Sequence, residues 1–251
     1  MLTFLLLGFA DPTGSALALK PGWVITSETK SEHATQAAAV DDDSFYAVSN
    51  TQVARYDRGT GKLIVSATAE GTKHLNSAFA WKGKVYCAHS NYPNKPEESD
   101  IRVFDPKTEK LSVFHKFEKP PGSLVWNIHD GTNWWCCFAH YGNDNAKTFL
   151  AKMNPDFKEL QRWTFPKVVV DDWDKMSASG GIWDGETLLV SHHHYRVLYR
   201  LKLPKNGEVL EFVEALACPF PGQGIAADPK AKGLVGIDRT KKSVVFAERA
   251  K

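Results

Sequence analysis

The sequence has little that would place this protein among nucleic-acid-binding, membrane-spanning or zinc-binding proteins. Its 31 lysines and arginines nearly balance its 29 aspartates and glutamates. The basic residues form no stripe or block, so no nucleic-acid partner is predicted. No stretch approaches the roughly 18 apolar residues of a membrane span, and none is predicted. The four cysteines are Cys87, Cys136, Cys137 and Cys218. Their spacing is neither that of zinc ligands nor that of a redox motif.

Familiar catalytic and phosphate-binding motifs are also missing. The sequence contains no Ser-His-Asp order, nucleophile elbow or HExxH pattern. The segments "TGSA", "SASGG" and "PGQG" are not phosphate loops, because no predicted helix follows them to supply a dipole. Any function therefore has to be argued from where the fold places its polar side chains.

Residues 1–18 fit a signal peptide. An apolar run extends from Leu2 to Ala10, and Ala16-Leu17-Ala18 offers the small residues of a signal-peptidase site. No Lys or Arg precedes the run and Asp11-Pro12 interrupts it, so a disordered or buried N-terminus is the alternative. We predict export to the periplasm or the extracellular space.

A repeat is the main feature that is present. Four strand-turn-strand segments cover residues 53–63, 101–111, 150–160 and 198–210. In each, an alternating strand enters an Asp, Asn, Pro or Gly turn and a second strand follows, which indicates a hairpin. The turns recur at intervals of 48, 49 and 49 residues, at Asp57, Asp105, Asn154 and Leu203. A fixed period with about four strands per unit predicts propeller blades.

Five further segments complete the repeat. Each is a strand of small residues followed by a strand of bulkier residues. The small-residue strands are "HATQAAAVD", "HLNSAFAW", "GSLVWNIHD", "SASGGIWDG" and "GQGIAADP". Small side chains suit the innermost strand, because neighbouring strands crowd near the axis. The unused N-terminal strand "GWVITSET" is predicted to complete the last blade and close the ring. We therefore predict an all-β fold, a single five-bladed β-propeller of four-stranded blades over residues 19–251, that is a monomer.

Histidines concentrate at one rim of the predicted ring. The start of each inner strand and the end of each second strand open on the same face, so position in the repeat predicts the face. His33 and His74 begin inner strands, His89 and His140 end second strands, and residues 192–194 are three further histidines at such an end. The polar residues predicted to join them on this rim are Gln36, Asn76 and Arg239. Convergent polar groups at a channel mouth are typical of a ligand site.

Two sets of roles are predicted for this rim. The candidate catalytic residues are His33, Gln36, Asn76 and Arg239. The candidate ligands of a divalent metal, Zn, Mn or Ca, are His74, His89, His140 and His192, since imidazoles from successive blades could surround one ion. The alternatives are a metal-free ligand or acid/base site, and histidines without a shared role that hydrogen-bond loop backbone.

Strand alternation limits what the triplet can do. Successive side chains of a strand point to opposite faces, so His192 and His193 are predicted to face opposite ways. With His192 assigned to the site, His193 is expected to be structural.

The repeat resembles that of known families. "HATQAAAVD" and "SASGGIWDGETLLVSHHHYRVLYRLKL" resemble the five-bladed propeller of plant- and bacterial-type glutaminyl cyclotransferases, whose blades carry similar "TQG" and "NGIAWD" strands. That family's pattern has a glutamate in the inner strand of the second unit, where this chain has Asn76 and Ser77. A second resemblance is to exported bacterial propeller proteins loosely labelled cycloisomerases, which carry motifs similar to "HLNSA", "YCAHSNYP" and "GSLVW". The resemblances imply a propeller fold.

These observations favour an enzyme, a lyase, cyclase or hydrolase, that acts on a small polar substrate at the histidine-rich mouth, with or without a metal. One alternative is a non-catalytic ligand-binding or scaffold propeller. Another is an activity like that of the glutaminyl-peptide cyclotransferases, as the resemblance implies.

Overall fold

Five sheets form the protein in the computed structural model, which describes residues 14–251, and each sheet contains a blade of four antiparallel strands. The strands follow one another around the ring as five blades, which confirms the five-bladed β-propeller predicted from the repeat. The N-terminal strands are β1 (Leu19–Lys20) and β2 (Trp23–Lys30). The first blade contains β3 (Ala37–Val40), β4 (Ser44–Val48), β5 (Val53–Asp57) and β6 (Leu63–Ala67).

The next two blades repeat this order from the axis outward. The second blade contains β7 (His74–Trp81), β8 (Lys84–Ser90), β9 (Ser99–Asp105) and β10 (Lys110–Phe117). The third contains β11 (Ser123–His129), β12 (Trp134–Ala139), β13 (Phe149–Met153) and β14 (Glu159–Thr164).

The last two blades each take in an N-terminal strand. The fourth contains β15 (Gly180–Asp184), β16 (Thr187–Ser191), β17 (Val197–Lys202) and β18 (Glu211–Ala217), with β1 added in parallel to β18. The fifth contains β19 (Ala226–Asp228), β20 (Gly233–Asp238) and β21 (Ser243–Arg249), with β2 as its outermost strand.

Strand β2 closes the ring as predicted. It pairs with β21 in antiparallel register, from Trp23 opposite Arg249 to Lys30 opposite Ser243. Chain ends that lie in one sheet tie the first and last blades together, because opening the ring would break this whole ladder. The two-residue strand β1 was not predicted, since so short a segment carries no alternation to recognise.

The inner strands are built from small residues because their neighbours leave no room. A Cβ on Gly181 would lie 2.7 Å from ring atoms of Trp126, a fully buried side chain of the third blade. A Cβ on Gly224 would lie 2.6 Å from that of Ala37, which joins the fifth blade to the first. This crowding confirms the reason given for the small-residue strands.

Among the described residues, two short helical segments lie between strands. One is a 3-10 helix (Gly142–Lys147), and the other is an α-helix, α1 (Lys167–Asp172). Within residues 14–251 no helix is long and apolar enough to cross a membrane.

The predicted signal peptide falls mostly outside the described residues, which begin at residue 14. Its last residues contact α1 and a buried cluster that the third and fourth blades share. The Ser15 hydroxyl and the Ala16 backbone N–H each donate to the Asp172 carboxylate over 2.8 Å, and Leu17 packs against that cluster. Export itself stays a prediction.

Candidate functional site

The axis of the ring opens at two mouths of different character. At one, a cavity of about 290 Å³ is lined by residues that start inner strands or follow second strands, and we call it the mouth cavity. Its polar lining residues are Gln36, Asn50, His74, Asn76, Tyr92, Tyr141, Ser179, His193, Gln223 and Arg239. At the other, a hollow of about 280 Å³ is mainly apolar and is lined by residues at the first turn of each blade, such as Phe79, Ile128 and Trp183. The position of a residue in the repeat therefore predicts at which mouth of the channel the residue lies.

Arg239 supplies the positive charge of the mouth cavity. Its Nε donates to the Thr35 carbonyl over 2.6 Å and its Nη2 to Gln36 Oε1 over 3.2 Å. Gln36 in turn donates through Nε2 to Asn50 Oδ1. Arg239 is exposed, and no carboxylate within residues 14–251 forms an ion pair with it. Neutral acceptors thus hold the guanidinium at the rim, and no carboxylate of the described residues neutralises its charge.

His74 begins β7 on the opposite side of the cavity. Its ring meets the edge of Tyr92, with centroids 6.4 Å apart. Burial first, and then the positive charge of Arg239, lower the pKa of His74 below its ordinary 6.5. The ring is therefore neutral at neutral pH and able to accept a proton.

His193 is the second imidazole of the cavity. Its Nδ1 lies 2.7 Å from the hydroxyl of Ser179, and its carbonyl accepts a hydrogen bond of 3.0 Å from Gln223 Nε2. Gly222 lies against that same carbonyl with a φ of +76°, where any Cβ would collide with it. Burial lowers the pKa of His193 to about 3, and the charges of His194 and Arg239 add to the effect.

His192, the predicted metal ligand of the triplet, does not line the cavity. It is fully buried, and its Nδ1 accepts the backbone N–H groups of His194 and Tyr195 over 2.8 and 2.9 Å. Its Nε2 donates to the Asp172 carbonyl over 3.1 Å. The expectation that His192 faces the site and His193 does not is therefore wrong. Strand β16 ends at Ser191, so strand alternation no longer applies to the triplet.

The other predicted metal ligands are also separated. His89 is buried, with Nδ1 3.0 Å from Asp100 Oδ2 and Nε2 accepting the Lys73 backbone N–H over 2.9 Å. His140 lines a separate hollow of about 270 Å³, whose wall also includes Tyr92. In the part of the chain that the structure describes, no group of three or more His, Cys, Asp or Glu is placed to hold a metal ion. The structure thus does not bring the four predicted ligands together, and their metal roles stay predictions.

The predicted catalytic residues are mostly brought together. Gln36, Asn76 and Arg239 line the mouth cavity, whereas His33 does not. Asn76 Nδ2 donates to the Leu124 carbonyl over 2.8 Å and to Ser90 Oγ over 3.2 Å, which ties the second blade to the third at the cavity wall. The roles of these residues in a reaction stay predictions.

Solved structures resemble this protein in their fold to different degrees. Glutaminyl cyclase from Myxococcus xanthus matches with a TM-score of 0.60 at 8% sequence identity, over 91% of this chain and 98% of that chain. Hydrazine synthase from Kuenenia stuttgartiensis matches with a TM-score of 0.46 at 11% identity, over 84% of this chain and 70% of that chain. At 8% identity the likeness to the Myxococcus enzyme shows the fold alone. No protein-family model and no curated protein matches the sequence.

The first of these structures agrees with the resemblance to glutaminyl cyclotransferases at the level of the propeller. It does not test the cycloisomerase label. What the mouth cavity can bind depends on the chemistry of the residues that line it.

The predicted site residues did not include several residues that line the mouth cavity. Ser179, Gln223 and His193 were not among the predicted site residues, although all three belong to segments that the repeat places at this rim. The register of the fourth blade offered a signal, because Gly180 pairs with Ser191, so Ser179 comes next to the histidine triplet. Together these groups supply a fixed cation, two neutral imidazoles and a hydroxyl around one small cavity.

Proposed function

We propose that the mouth cavity binds a small polar molecule carrying an anionic group, and that the protein acts on it as an enzyme with His74 and His193 as proton-transfer groups. The observation that carries this proposal is the unpaired Arg239 beside two neutral imidazoles. Arginine binds carboxylates and similar anions through charge-assisted hydrogen bonds. A bound anion offsets the charge of Arg239, which is one of the causes that lower the pKa of both imidazoles, and so makes the rings better able to accept a proton.

Charge favours an anion over a cation. The lining residues within the described chain include Arg239 but neither Asp nor Glu. An ammonium group in this cavity would have no carboxylate to pair with, and it would be repelled by the guanidinium. We therefore expect anionic molecules to bind and their amine counterparts to bind much more weakly.

Size favours a small molecule. Ligand cavities usually measure about 300 to 1,000 Å³, so 290 Å³ lies at the lower end of this range. Four carboxamide side chains, Gln36, Asn50, Asn76 and Gln223, give this cavity both donors and acceptors. Such a lining suits a hydroxylated or carbonyl-bearing acid.

Ligand binding tests the proposal directly. Calorimetry and thermal unfolding would compare small hydroxy acids and sugar acids with their neutral amides and their amines. A ligand at 100 times its Kd stabilises a protein by about 2.7 kcal/mol, so a true ligand gives a clear rise in Tm. Arg239→Gln should weaken acid binding by at least about tenfold, as expected for a lost charge-assisted bond.

Arg162→Gln is the matched control, because Arg162 is an arginine on β14 whose ion pair with Glu159 is exposed. It should leave acid binding unchanged. Equal binding of acids, amides and amines, or equal affinity in the wild type and Arg239→Gln, would overturn the proposal.

The resemblance to glutaminyl cyclotransferases supplies a second candidate, cyclisation of N-terminal glutaminyl peptides. The fold of the Myxococcus enzyme supports it. The charge of Arg239 opposes it, because such a substrate brings an ammonium group to the cavity. Release of ammonia from a glutaminyl dipeptide would favour this candidate over the anionic substrate.

A metal-dependent version of the activity is tested separately. If Zn, Mn or Ca is required, each effective ion should raise Tm and a chelator should abolish acid binding. Acid binding that persists in chelator supports the metal-free version that we propose.

A further inference from the structure

Ser179 and His193 form a close pair inside the mouth cavity. The Ser179 hydroxyl oxygen lies 2.7 Å from His193 Nδ1, and both residues line the cavity. A hydroxyl and a neutral base at about 2.6 to 3.2 Å are the arrangement that activates a serine nucleophile. The two residues come from the start of the inner strand and the loop after the second strand of one blade, 14 positions apart.

Both partners are held in place by other contacts. The Ser179 backbone N–H donates to the Ser191 carbonyl over 3.2 Å, and a Cβ on the following Gly180 would lie only 2.7 Å from the backbone nitrogen of Ile225. The loop that carries His193 is fixed by the buried ring of His192 and by the Gln223 side chain. A reactive pair held this way needs little rearrangement when a substrate binds.

We propose that Ser179 is a nucleophile and His193 its general base, and that the protein hydrolyses small esters whose acid portion carries a second, anionic group. This inference rests on the proposed function, since Arg239 would hold that anionic group. In a triad a carboxylate orients the base, and its replacement costs about 10⁴ in rate. Neither Asp nor Glu lies among the described lining residues. An ester fits this weaker pair better than an amide does, because an alcohol leaves more readily than an amine.

His193 accepts and returns the protons that the reaction moves. The Ser179 hydroxyl proton passes to His193 Nδ1 as the oxygen bonds to the ester carbonyl carbon. The bond from that carbon to the alcohol oxygen then breaks, and the alcohol takes the proton from His193. Water repeats the sequence on the acyl-serine, releasing the acid and restoring the serine.

The test uses the full chain and two probes. One is a fluorophosphonate, with the labelled residue identified by mass spectrometry, and the other is the mono-4-nitrophenyl ester of succinic acid, with release of nitrophenol followed over time. The wild type should be labelled at Ser179 and hydrolyse the ester. Ser179→Ala should lose labelling and at least about a hundredfold in kcat/KM, with His193→Gln similarly impaired.

Ser177→Ala is the matched control. Ser177 is a buried serine two positions earlier that hydrogen-bonds to Thr148 rather than to a histidine. Its variant should keep labelling and hydrolysis within about threefold, since it removes no group of the pair. Labelling at another residue, or Ser179→Ala that hydrolyses like the wild type, would overturn the inference.

Ser179→Cys gives a measurement that does not depend on turnover. The four native thiols are buried, and burial raises their pKa, so the introduced thiol should be the one that reacts. Compared with a free thiol such as glutathione, it should react with iodoacetate at a higher rate relative to iodoacetamide, because Arg239 attracts the anion.

The outcomes separate the two proposals. If acids bind but Ser179 neither reacts with the phosphonate nor supports hydrolysis, the nucleophile is refuted and the anion site stands. If acids do not bind at all, the proposed function fails.

Discussion

The neighbouring histidines His192 and His193 should respond to substitution in opposite ways. His192→Ala removes a buried ring that accepts two backbone N–H groups and donates to the Asp172 carbonyl. The same ring stacks on Tyr195 with centroids 4.2 Å apart. We expect this variant to lose stability. His193→Ala removes a half-buried ring with one side-chain partner, and we expect it to lose ligand binding instead.

The size of the effect follows from the contacts. Each buried N–H group left without an acceptor costs about 1 to 3 kcal/mol, and a lost aromatic stack costs about 0.5 to 1.5 kcal/mol. Water entering the space left by the ring would satisfy part of the loss. His192→Ala should therefore lower the free energy of unfolding by roughly 3 to 5 kcal/mol. His193→Ala gives up one hydrogen bond, worth about 0.5 to 1.5 kcal/mol.

Urea unfolding followed by tryptophan fluorescence measures both variants, since the chain has eight tryptophans. Acid binding is then measured by calorimetry under folding conditions. His192→Asn is the informative third variant, because the amide oxygen of asparagine can replace Nδ1 as an acceptor. It should recover part of the stability that His192→Ala loses.

The reasoning fails if His192→Ala unfolds at the wild-type urea concentration yet no longer binds acids. That result would place His192 in the site, as the sequence first predicted. It fails equally if His193→Ala is the less stable variant and binds acids normally.

Three other changes test the packing and the titration of the fold. Burial lowers the pKa of His192 to about 4 from 6.5, so the neutral ring stabilises the fold above pH 6.5. This contribution is lost as the pH falls from 6.5 to 4, at up to about 1.4 kcal/mol per pH unit, and urea midpoints for His192→Asn should depend less on pH. Gly181→Ala should cost roughly 1 to 3 kcal/mol, because its Cβ would press on Trp126, whereas Gly59→Ala, with a nearest contact of 3.6 Å, should be nearly neutral in thermal unfolding. Asn127→Leu should raise Tm, because neither polar atom of the buried Asn127 amide has a partner within the described chain, and a lower Tm would show that this amide is hydrogen-bonded in solution.

The repeat made most of the fold predictable. A blade buries its strands only against neighbouring blades, so a constant period of strands and turns implies a ring of equal units. The leftover strand β2 could then be assigned to the last blade, where it pairs with β21. The same logic predicted that Gln36, Asn76 and Arg239 lie at one mouth, because each starts or ends a strand at that rim.

The roles of the histidines could not be predicted this way, because a role depends on what each ring nitrogen contacts. His89 lies within β8, and its cross-strand neighbour on β9 is Asp100, which takes up its Nδ1. The blade pattern specifies that such a residue is near the rim but says nothing about the residue opposite it. A cross-strand comparison of residue types would have flagged this pair before the structure did.

The triplet shows why the backbone between strands decides the chemistry. Regular alternation would have sent His192 and His194 to one side, but the chain leaves β16 at Ser191 and turns within the next residues. The turn needs acceptors for its own N–H groups, and the nearest available one is His192 Nδ1. Once that ring is used inside the loop, His193 is presented to the cavity beside Ser179. His192, the predicted ligand, therefore stabilises the loop, and its neighbour His193, positioned by that loop, lines the mouth cavity.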